Sequence, residues 1–584
     1  MVTNKYLLQR IFNYTFHCLE SCELNQLHYT LIKLILISKS FRNEVMQCIY
    51  YPRIIITREP QLECAYNLII KYTIPLKLSI QIQQQQKSQP PSLIEKFKDK
   101  AYSVFNLTER ALWNELSPHV ESFVSYNNRE IKGNGNFLHL KSIEIVNRFH
   151  SILENPLLKI INSKFKRNSL IGSSSDYPSL YKLEITEHNT FIINTFTNEM
   201  IPNFIIDKIT VLSIFLKVDS VQSFQFIHQL KNLRSFSYKN KLLDFQNLFE
   251  NVNSHQSLDS LYLEFQETKA NKGYHDVPFI PFSFLLKNTN LSNLSMKFKD
   301  IPIEIVDMIT RSLKNLKSLI IIDTQSGDKQ APIETLLEPP KDTCKIDNST
   351  LTHFTFVKSK YKIFNHWIAP SNLKSLCIDQ LSPSIFKNHP KVEKLDFICP
   401  KGCMNIDNSL FLNNLALNQS IVHLNLDLTT TFYTKQPNYP QAIEFLGSIF
   451  NAIPSTNIRH FNFTVRECKN GAFQEYYQEL IPVIKKNKTQ LYTICLTTIN
   501  PSVIYPSCQL LEAIIENIHS LQKFETNERI KINHHQYQRL KALIKKSNIK
   551  ILNIPNVCMD EYINLDSFII RNGLFYNYDS KFIE

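Results

Sequence analysis

Lys231-Asn-Leu233-Arg-Ser-Phe236-Ser-Tyr238, Lys314-Asn-Leu316-Lys-Ser-Leu319-Ile-Ile321 and Ser371-Asn-Leu373-Lys-Ser-Leu376-Cys-Ile378 are one phrase written three times. After a two-residue polar lead, apolar side chains stand at the first, fourth and sixth positions. The fourth and sixth, separated by one residue, have the period of a strand with one buried face. The same spacing recurs at Leu180, Leu258, Leu291, Leu351, Val392, Ile421, Ile458, Leu491 and Ile549. In a chain that is 43% hydrophobic, three given positions are all apolar about 8% of the time, so the hits alone decide nothing. Context decides. Most of these starts lie 19 to 37 residues apart, and amphipathic helices precede many of them. Ala442, Phe445, Leu446, Ile449, Phe450 and Ile453 make one such helical face, and Leu511, Ile514, Ile515 and Ile518 another. A unit of helix, polar turn and short strand cannot bury its apolar side alone. Neighbouring units must stack and share a core.

Outside this array the chain is less regular. Leu8, Ile11, Phe12, Thr15, Phe16 and Leu19 follow helical spacing, as do Leu31, Leu34 and Ile35, then Phe41, Val45, Cys48 and Ile49, with Pro52 as the stop. Residues 1–52 therefore read as a small helical domain, too short to bury a sufficient core by itself. Residues 53–135 read as an irregular connection. It holds two strand-like runs, Ile54–Thr57 and Leu76–Ile82, and a Gln/Pro-rich loop at 83–91. Residues 136–584 carry the repeats.

Composition removes several classes of function. Only 9 of 584 residues are glycine, where an average chain would have about 41. Folds built on glycine-rich phosphate loops are not expected; Gly133-Asn-Gly135 lacks both the third glycine and the preceding strand of a dinucleotide site. The net charge is +13, but the basic groups are scattered. Lys164/Lys166/Arg167, Lys485/Lys486/Lys488 and Lys541/Lys545/Lys546/Lys550 read as solvated helix ends, without the interleaved aromatics of an RNA-binding surface. Nucleic acid is not the expected partner. Twelve cysteines without a C-x-x-C pair read as reduced thiols, and the start has no secretory pattern, so cytoplasm or nucleus is expected. The longest apolar run near the N-terminus, Leu31 to Ile37, is too short for a membrane span. No nucleophile elbow, Walker loop or His-Glu-x-x-His occurs. His534-His535 and Glu475/Glu479 read as exposed helix residues. No enzyme, metal or cofactor is expected.

The repeated phrase resembles the leucine-rich repeat, Leu-x-x-Leu-x-Leu-x-x-Asn/Cys-x-Leu, over roughly residues 136 to 584. It departs from it after the strand, where Gln266, Thr324 and Leu381 stand at the Asn/Cys position. The resemblance implies an α/β solenoid, an irregular horseshoe with parallel strands on its concave face, and the loss of the Asn implies irregular turns. The N-terminus resembles a degenerate F-box. The match is Leu8-x-x-Ile11-x-x-Tyr14 and Leu31-x-x-Leu34-Ile-Leu-Ile-Ser38-Lys39-x-Phe41-Arg42-x-x-Val45. The Leu-Pro opening is absent, and the spacer from about Ser21 to Thr30 is long. That resemblance implies a protein-interaction receptor, the substrate-recruiting subunit of a cullin-RING ubiquitin ligase. Leu8, Ile11, Leu34, Ile35 and Phe41 would dock the ligase adaptor, and the solenoid would hold a protein target. The alternative is a non-catalytic leucine-rich-repeat scaffold or signalling adaptor whose N-terminal helices only cap the array. In either case strand alternation places the intervening residues on the concave face: Ser237 and Lys239, Tyr262 and Glu264, Ser295 and Lys297, Cys377 and Asp379, Asp396, Asn425 and Asp427, Asn462 and Thr464. Lys239, Tyr262, Glu264, Lys297, Asp379, Asp396, Asn425 and Asp427 are the expected partner-binding set. Lysines come early and aspartates later, so the face is expected to be split in sign.

Overall fold

The computed structural model of the 584-residue chain describes residues 21–23, 45–46, 49, 51, 53–57, 59–81, 115–126, 139–147, 180–187, 206–216, 224–240, 245–265, 288–298, 303–323, 348–357, 372–379, 385–398, 412–413, 415–416, 418–428, 439–466, 473–486, 489–499, 508–526, 529–532, 534–553 and 556–559. The chain divides into two compact units, Met1–Asn288 and Thr289–Glu584.

In the first unit nine strands pair in chain order, every neighbour parallel. They are β1 (Ser21–Glu23), β2 (Arg53–Ile56), β3 (Lys77–Ile80), β4 (Val120–Tyr126), β5 (Ser142–Asn147), β6 (Lys182–Glu187), β7 (Val211–Leu216), β8 (Ser235–Asn240) and β9 (Ser260–Phe265). Its described helices are α1 (Glu59–Tyr66), continued by a π turn over Asn67–Lys71, α2 (Phe226–Gln229) and α3 (Phe245–Ser254).

In the second unit ten strands pair in the same manner: β10 (Asn293–Phe298), β11 (Ser318–Asp323), β12 (His353–Val357), β13 (Ser375–Ile378), β14 (Lys394–Ile398), β15 (His423–Asp427), β16 (His460–Arg466), β17 (Thr493–Ile499), β18 (Lys523–Thr526) and β20 (Ile551–Asn553). A separate parallel pair joins β19 (Arg529–Ile532) to β21 (Asn556–Met559). The helices are α4 (Ile303–Ser312), α5 (Ile385–Asn388), α6 (Tyr439–Ala452), α7 (Phe473–Lys486), α8 (Cys508–Asn517) and α9 (His534–Lys546); α6 to α9 pack side by side in order. Consecutive parallel strands, with helices in the crossovers described between them, are an α/β solenoid of the leucine-rich-repeat kind.

The phrase explains the register. Its three apolar positions are buried and stack on their counterparts in the next repeat: Leu294 on Leu319, Phe354, Leu376, Leu395, Leu424, Phe461, Ile494, Phe524 and Leu552. The helices close this core with Val306, Ile309, Leu446, Ile449, Ile484, Ile514 and Ile544. In the first unit an aromatic cluster does the same work: Phe224 stands edge-on to Tyr238 at 5.0 Å, and Phe226 to Phe236 at 6.5 Å. Each such ring contributes about 1.5–3 kcal/mol when fully buried.

The polar lead of the phrase has its own task. The Asn just before the first apolar residue reaches back and donates to a carbonyl of the preceding turn: Asn232 to Asp207 (2.6 Å), Asn315 to Thr289 (2.7 Å), Asn372 to Ser349 (2.7 Å), Asn457 to Gln419 (2.6 Å) and Asn548 to His519 (2.8 Å). Where that position is Ser or Thr, the hydroxyl does the same: Ser257 to Lys231 O, Thr350 to Leu316 O, Ser420 to Pro390 O and Ser520 to Leu491 O. Two places earlier, buried side chains satisfy turn backbone from inside. Asn288 donates to Val252 O and His255 to Leu230 O; Asn348 accepts from the amides of Thr350 and Leu351. The repeat therefore meets its turn polar groups before the strand; Gln266, Thr324 and Leu381, at the Asn/Cys position after it, lie outside the described residues. Glycine is not needed: among the described non-glycine residues only Thr73 has a positive φ, 55°.

Parallel pairing begins well before residue 136. The runs around Ile54 and Leu78 are β2 and β3, and Tyr51-x-x-Ile54-x-Ile56 and Leu140-x-x-Ile143-x-Ile145 are further copies of the phrase. The change at 136 is thus one of regularity in the phrase rather than of sheet. Within the expected spacer after the first N-terminal helix, Ser21–Glu23 is strand β1, paired with β2. The helical runs expected at residues 8–19 and 31–41 lie outside the described residues.

Candidate functional site

Helices and core cover one side of each sheet. The residues between the apolar positions line the other, and register arranges them in rows. In the second unit one row runs Ser295, Ile320, Thr355, Cys377, Asp396, Asn425, Asn462, Cys495, Glu525 and Asn553; the row before it includes His353, Lys394, His423, His460, Thr493 and Lys523.

These rows are cross-linked. Asn425 donates to the Asp396 carboxylate, and Asn462 Nδ2 donates to Asn425 Oδ1 at 2.8 Å, so three strands share a directional relay that ends on an anion. Lys394 Nζ lies 3.0 Å from the other oxygen of Asp396. The next row stacks the His423 and His460 rings at 4.1 Å, tilted by only 8°, with His460 Nδ1 3.0 Å from Thr493 Oγ1. Burial, then the neighbouring His423 and Lys523, lower the His460 pKa below its usual value. The His460 ring therefore favours the neutral form, in which it offers one donor and one acceptor.

Lysine two residues before a carboxylate is a recurring open-face pair: Lys182–Glu184 at 3.2 Å, Lys394–Asp396 at 3.0 Å and Lys523–Glu525 at 3.0 Å. Charges are neutralised strand by strand, which explains how a +13 chain presents a mixed rather than a basic face.

In the first unit Lys239, Tyr262 and Glu264 come together. Glu264, only 5% exposed, receives the Tyr262 hydroxyl on Oε2 (2.7 Å) and lies 2.9 Å from Lys239 Nζ through Oε1. Burial, then the hydrogen bond to Glu264 and its charge, push the Tyr262 phenol well above its ordinary pKa. Glu144 and Glu184 face each other on adjacent strands; burial and then the Glu184 charge raise Glu144, while Lys182 opposes them.

The expected site residues thus separate into sets. Lys239, Tyr262 and Glu264 form one network in the first unit; Asp396 and Asn425 form another in the second, with half-buried Asp427 two residues along β15. Lys297 sits half-buried on β10 in the second unit. Asp379 is a correction. It was expected on the accessible face but is 2% exposed, because β13 ends at Ile378 and strand alternation no longer governs the next residue. Leu8, Ile11, Leu34, Ile35 and Phe41 lie outside the described residues. Sequence reading passed over the His423/His460 stack and the Lys-x-acid pairs. The His-x-apolar starts of β15 and β16 and the repeated Lys-x-acid spelling were their signals.

Chemically the face offers hydrogen bonds and paired charges. The Cys64, Cys377 and Cys495 thiols are free, and burial raises all three pKa values, to about 11 for Cys64 and about 12 for Cys377. Such thiols are poor nucleophiles at neutral pH. Among the described residues no group of three His, Cys, Asp or Glu could hold a metal ion, and no helix is long and apolar enough to cross a membrane.

No protein-family model matches the chain, and no curated protein matches it. Among solved structures it is similar to an internalin from Listeria monocytogenes at 13% identity, over 65% of this chain and 88% of that one, with a TM-score of 0.25.

Proposed function

We propose that this chain is a protein-interaction receptor that holds a polypeptide partner against the open face of its sheet. The observation that carries the reading is the in-register grid of exposed and half-exposed polar side chains, from His353 to Lys523 and from Cys377 to Glu525, which no helix among the described residues covers. Amides, imidazoles and paired charges of both signs match the peptide groups and mixed charges of a protein surface. A nucleic acid would meet carboxylates at Asp396 and Glu525 in one row and at Asp427 two residues further along β15. The test compares partner capture by the full chain after charge reversal at Asp396 and Asp427 (D396K/D427K) and at the helix end of α7 (K485E/K486E). Thermal unfolding is measured on both variants. Loss confined to the aspartate pair supports the reading; equal loss from both pairs, or none from the aspartates, removes the open face from recognition.

The finer role, recruitment of targets to a cullin-RING ligase, rests on the F-box-like phrase at Leu8, Ile11, Leu34, Ile35 and Phe41. Removing residues 1–52 would also strip β1 from the sheet, so point changes are the cleaner test. L8D/I11D should abolish adaptor pulldown and leave the solenoid folded. Unchanged pulldown would leave the N-terminal segment as a cap on the array.

A further inference from the structure

The starts of β2 to β5 carry a concentration of positive charge around one buried acid. β4 is irregular there. Leu78 of β3 is in register with Val120 and Ser79 with Ser122, so Glu121 is an extra residue, a bulge in the ladder. Bulges re-aim a side chain. This one places Glu121, 7% exposed, among three cations from three different segments: Lys141 Nζ at 2.9 Å, Lys77 Nζ at 3.5 Å and Arg53 Nε at 3.5 Å. Burial raises the Glu121 pKa, but the hydrogen bond from Lys141 and the charges of Lys77, Lys141 and Arg53 outweigh it and hold the acid below its ordinary value. Glu121 is therefore ionised at neutral pH, and these four side chains together carry a net charge of about +2.

One carboxylate cannot satisfy this group. Arg53 Nε is buried at the atom and makes no hydrogen bond, and a guanidinium and two ammonium groups offer far more donors than Glu121 can accept. The three cations are each 39–50% exposed at the side chain, so they can be reached from solvent. Beside them on the same face, register lines up Ser79, Ser122 and Ser142, with Ser142 Oγ donating to Ser122 Oγ at 2.9 Å. Small hydroxyl side chains thus stand beside long basic ones on these strands, with Ser79 itself only 3% exposed.

We propose that Arg53, Lys77 and Lys141, with the hydroxyls of Ser122 and Ser142, form a site for a phosphoryl dianion carried on the partner polypeptide. A phosphate monoester brings close to two negative charges and three strong acceptor oxygens, which balances the excess charge and uses the idle donors; a carboxylate balances only half of it. Glu121 is a positioning residue: it gathers the cations and sets the excess at two rather than three. The proposal rests on the open face being a recognition surface, and it assigns one class of group to that face in the first unit.

The test uses the full chain and inorganic phosphate, titrated by calorimetry at pH 7.5 and low ionic strength, with a phosphoserine peptide and its unphosphorylated form as further arms. Saturable phosphate binding is expected. K77Q and K141Q should each weaken it about tenfold, the effect of one charge-assisted hydrogen bond. E121Q should tighten it, because the excess charge rises; a purely structural ion cluster gives no such gain. The phosphoserine peptide should bind and its unphosphorylated form should not. Lys77 is half exposed, so K77Q reports even if E121Q does not fold. Absence of saturable binding, or binding indifferent to both lysine changes, overturns the site. So does equal binding of the two peptides. Because phosphate needs no partner, these results are independent of capture through Asp396 and Asp427.

Discussion

Asn348 holds the entry to β12 from inside the protein, and Asn348→Ala measures what one such side chain contributes. Its Oδ1 accepts from Thr350 N and Leu351 N, both at 2.9 Å, while Nδ2 donates to Thr310 O at the end of α4. Thr310 and Leu351 are both fully buried. Alanine leaves one buried amide and one buried carbonyl without these partners, where water cannot replace them; Thr350 N is near solvent and recovers. An unmet buried group costs about 1–3 kcal/mol, so the change should cost about 3 kcal/mol. Repeats contact mainly their neighbours, so this loss should be local, and a single global unfolding energy would blur it. Amide hydrogen exchange resolves it. Protection of the β12 amides should fall about a hundredfold, the equivalent of that energy, while β16 and β17 keep theirs. Asn372→Ala, which removes two exposed bonds, to Ser349 O and from Lys391 Nζ, should cost about 0.5–1 kcal/mol. A fall of less than about threefold at β12, or an equal fall across the whole second unit, would refute the view that each turn is secured by its own buried side chain.

Three further outcomes follow from geometry already described. Lys239→Met removes a cation held 2.9 Å from the nearly buried Glu264 carboxylate and should cost about 2 kcal/mol; adding Glu264→Gln should recover most of it, as a double-mutant cycle in denaturant will show. Burial lowers the His389 imidazole from 6.5 to about 4, so between those values the unfolded chain binds the extra proton and folding weakens as pH falls; the linkage is about 3 kcal/mol, and His389→Gln should flatten that part of the stability–pH curve. Cys377, with its thiol at about 12, should react with iodoacetamide at pH 7.5 at least about a hundredfold more slowly than a free thiol, as followed by mass spectrometry.

The strands were the legible part, because period two with three fixed apolar positions leaves one way to bury them. Besides the copies at Tyr51 and Leu140, two repeats escaped the sequence reading for different reasons. Ile209-x-x-Leu212-x-Ile214, the strand β7, fits the phrase and lay in the long gap between Leu180 and Leu233. Leu521-x-x-Phe524-x-Thr526 carries a threonine in its third apolar slot, which is nonetheless buried. The Lys-Asn and Ser-Asn leads were visible as words, but their meaning, a bond back to the preceding turn, depends on which carbonyl the stacking brings within reach. Individual site residues were the least legible. Alternation puts Lys239, Asp396 and Asn425 on the right face, yet whether a side chain there is available or already engaged depends on its cross-strand neighbour. Asp379 shows the limit most sharply, since one residue past the end of a strand the period carries no information.

The backward-reaching Asn, Ser and Thr side chains also set how the second unit should behave under tension. Most turns are fastened to the one before by a short bond of this kind, Asn315 to Thr289, Thr350 to Leu316, Asn372 to Ser349, and on to Asn548 and His519. A pull at the C-terminal end should load these fasteners in series, so that the last one fails before the next feels the full force. From Leu291 to Leu316 the chain advances 25 residues, or about 9 nm when drawn straight. In an optical trap the unit should lengthen in a staircase of steps near that size, each reversible while the next turn inward still offers its carbonyl as a place to re-anchor.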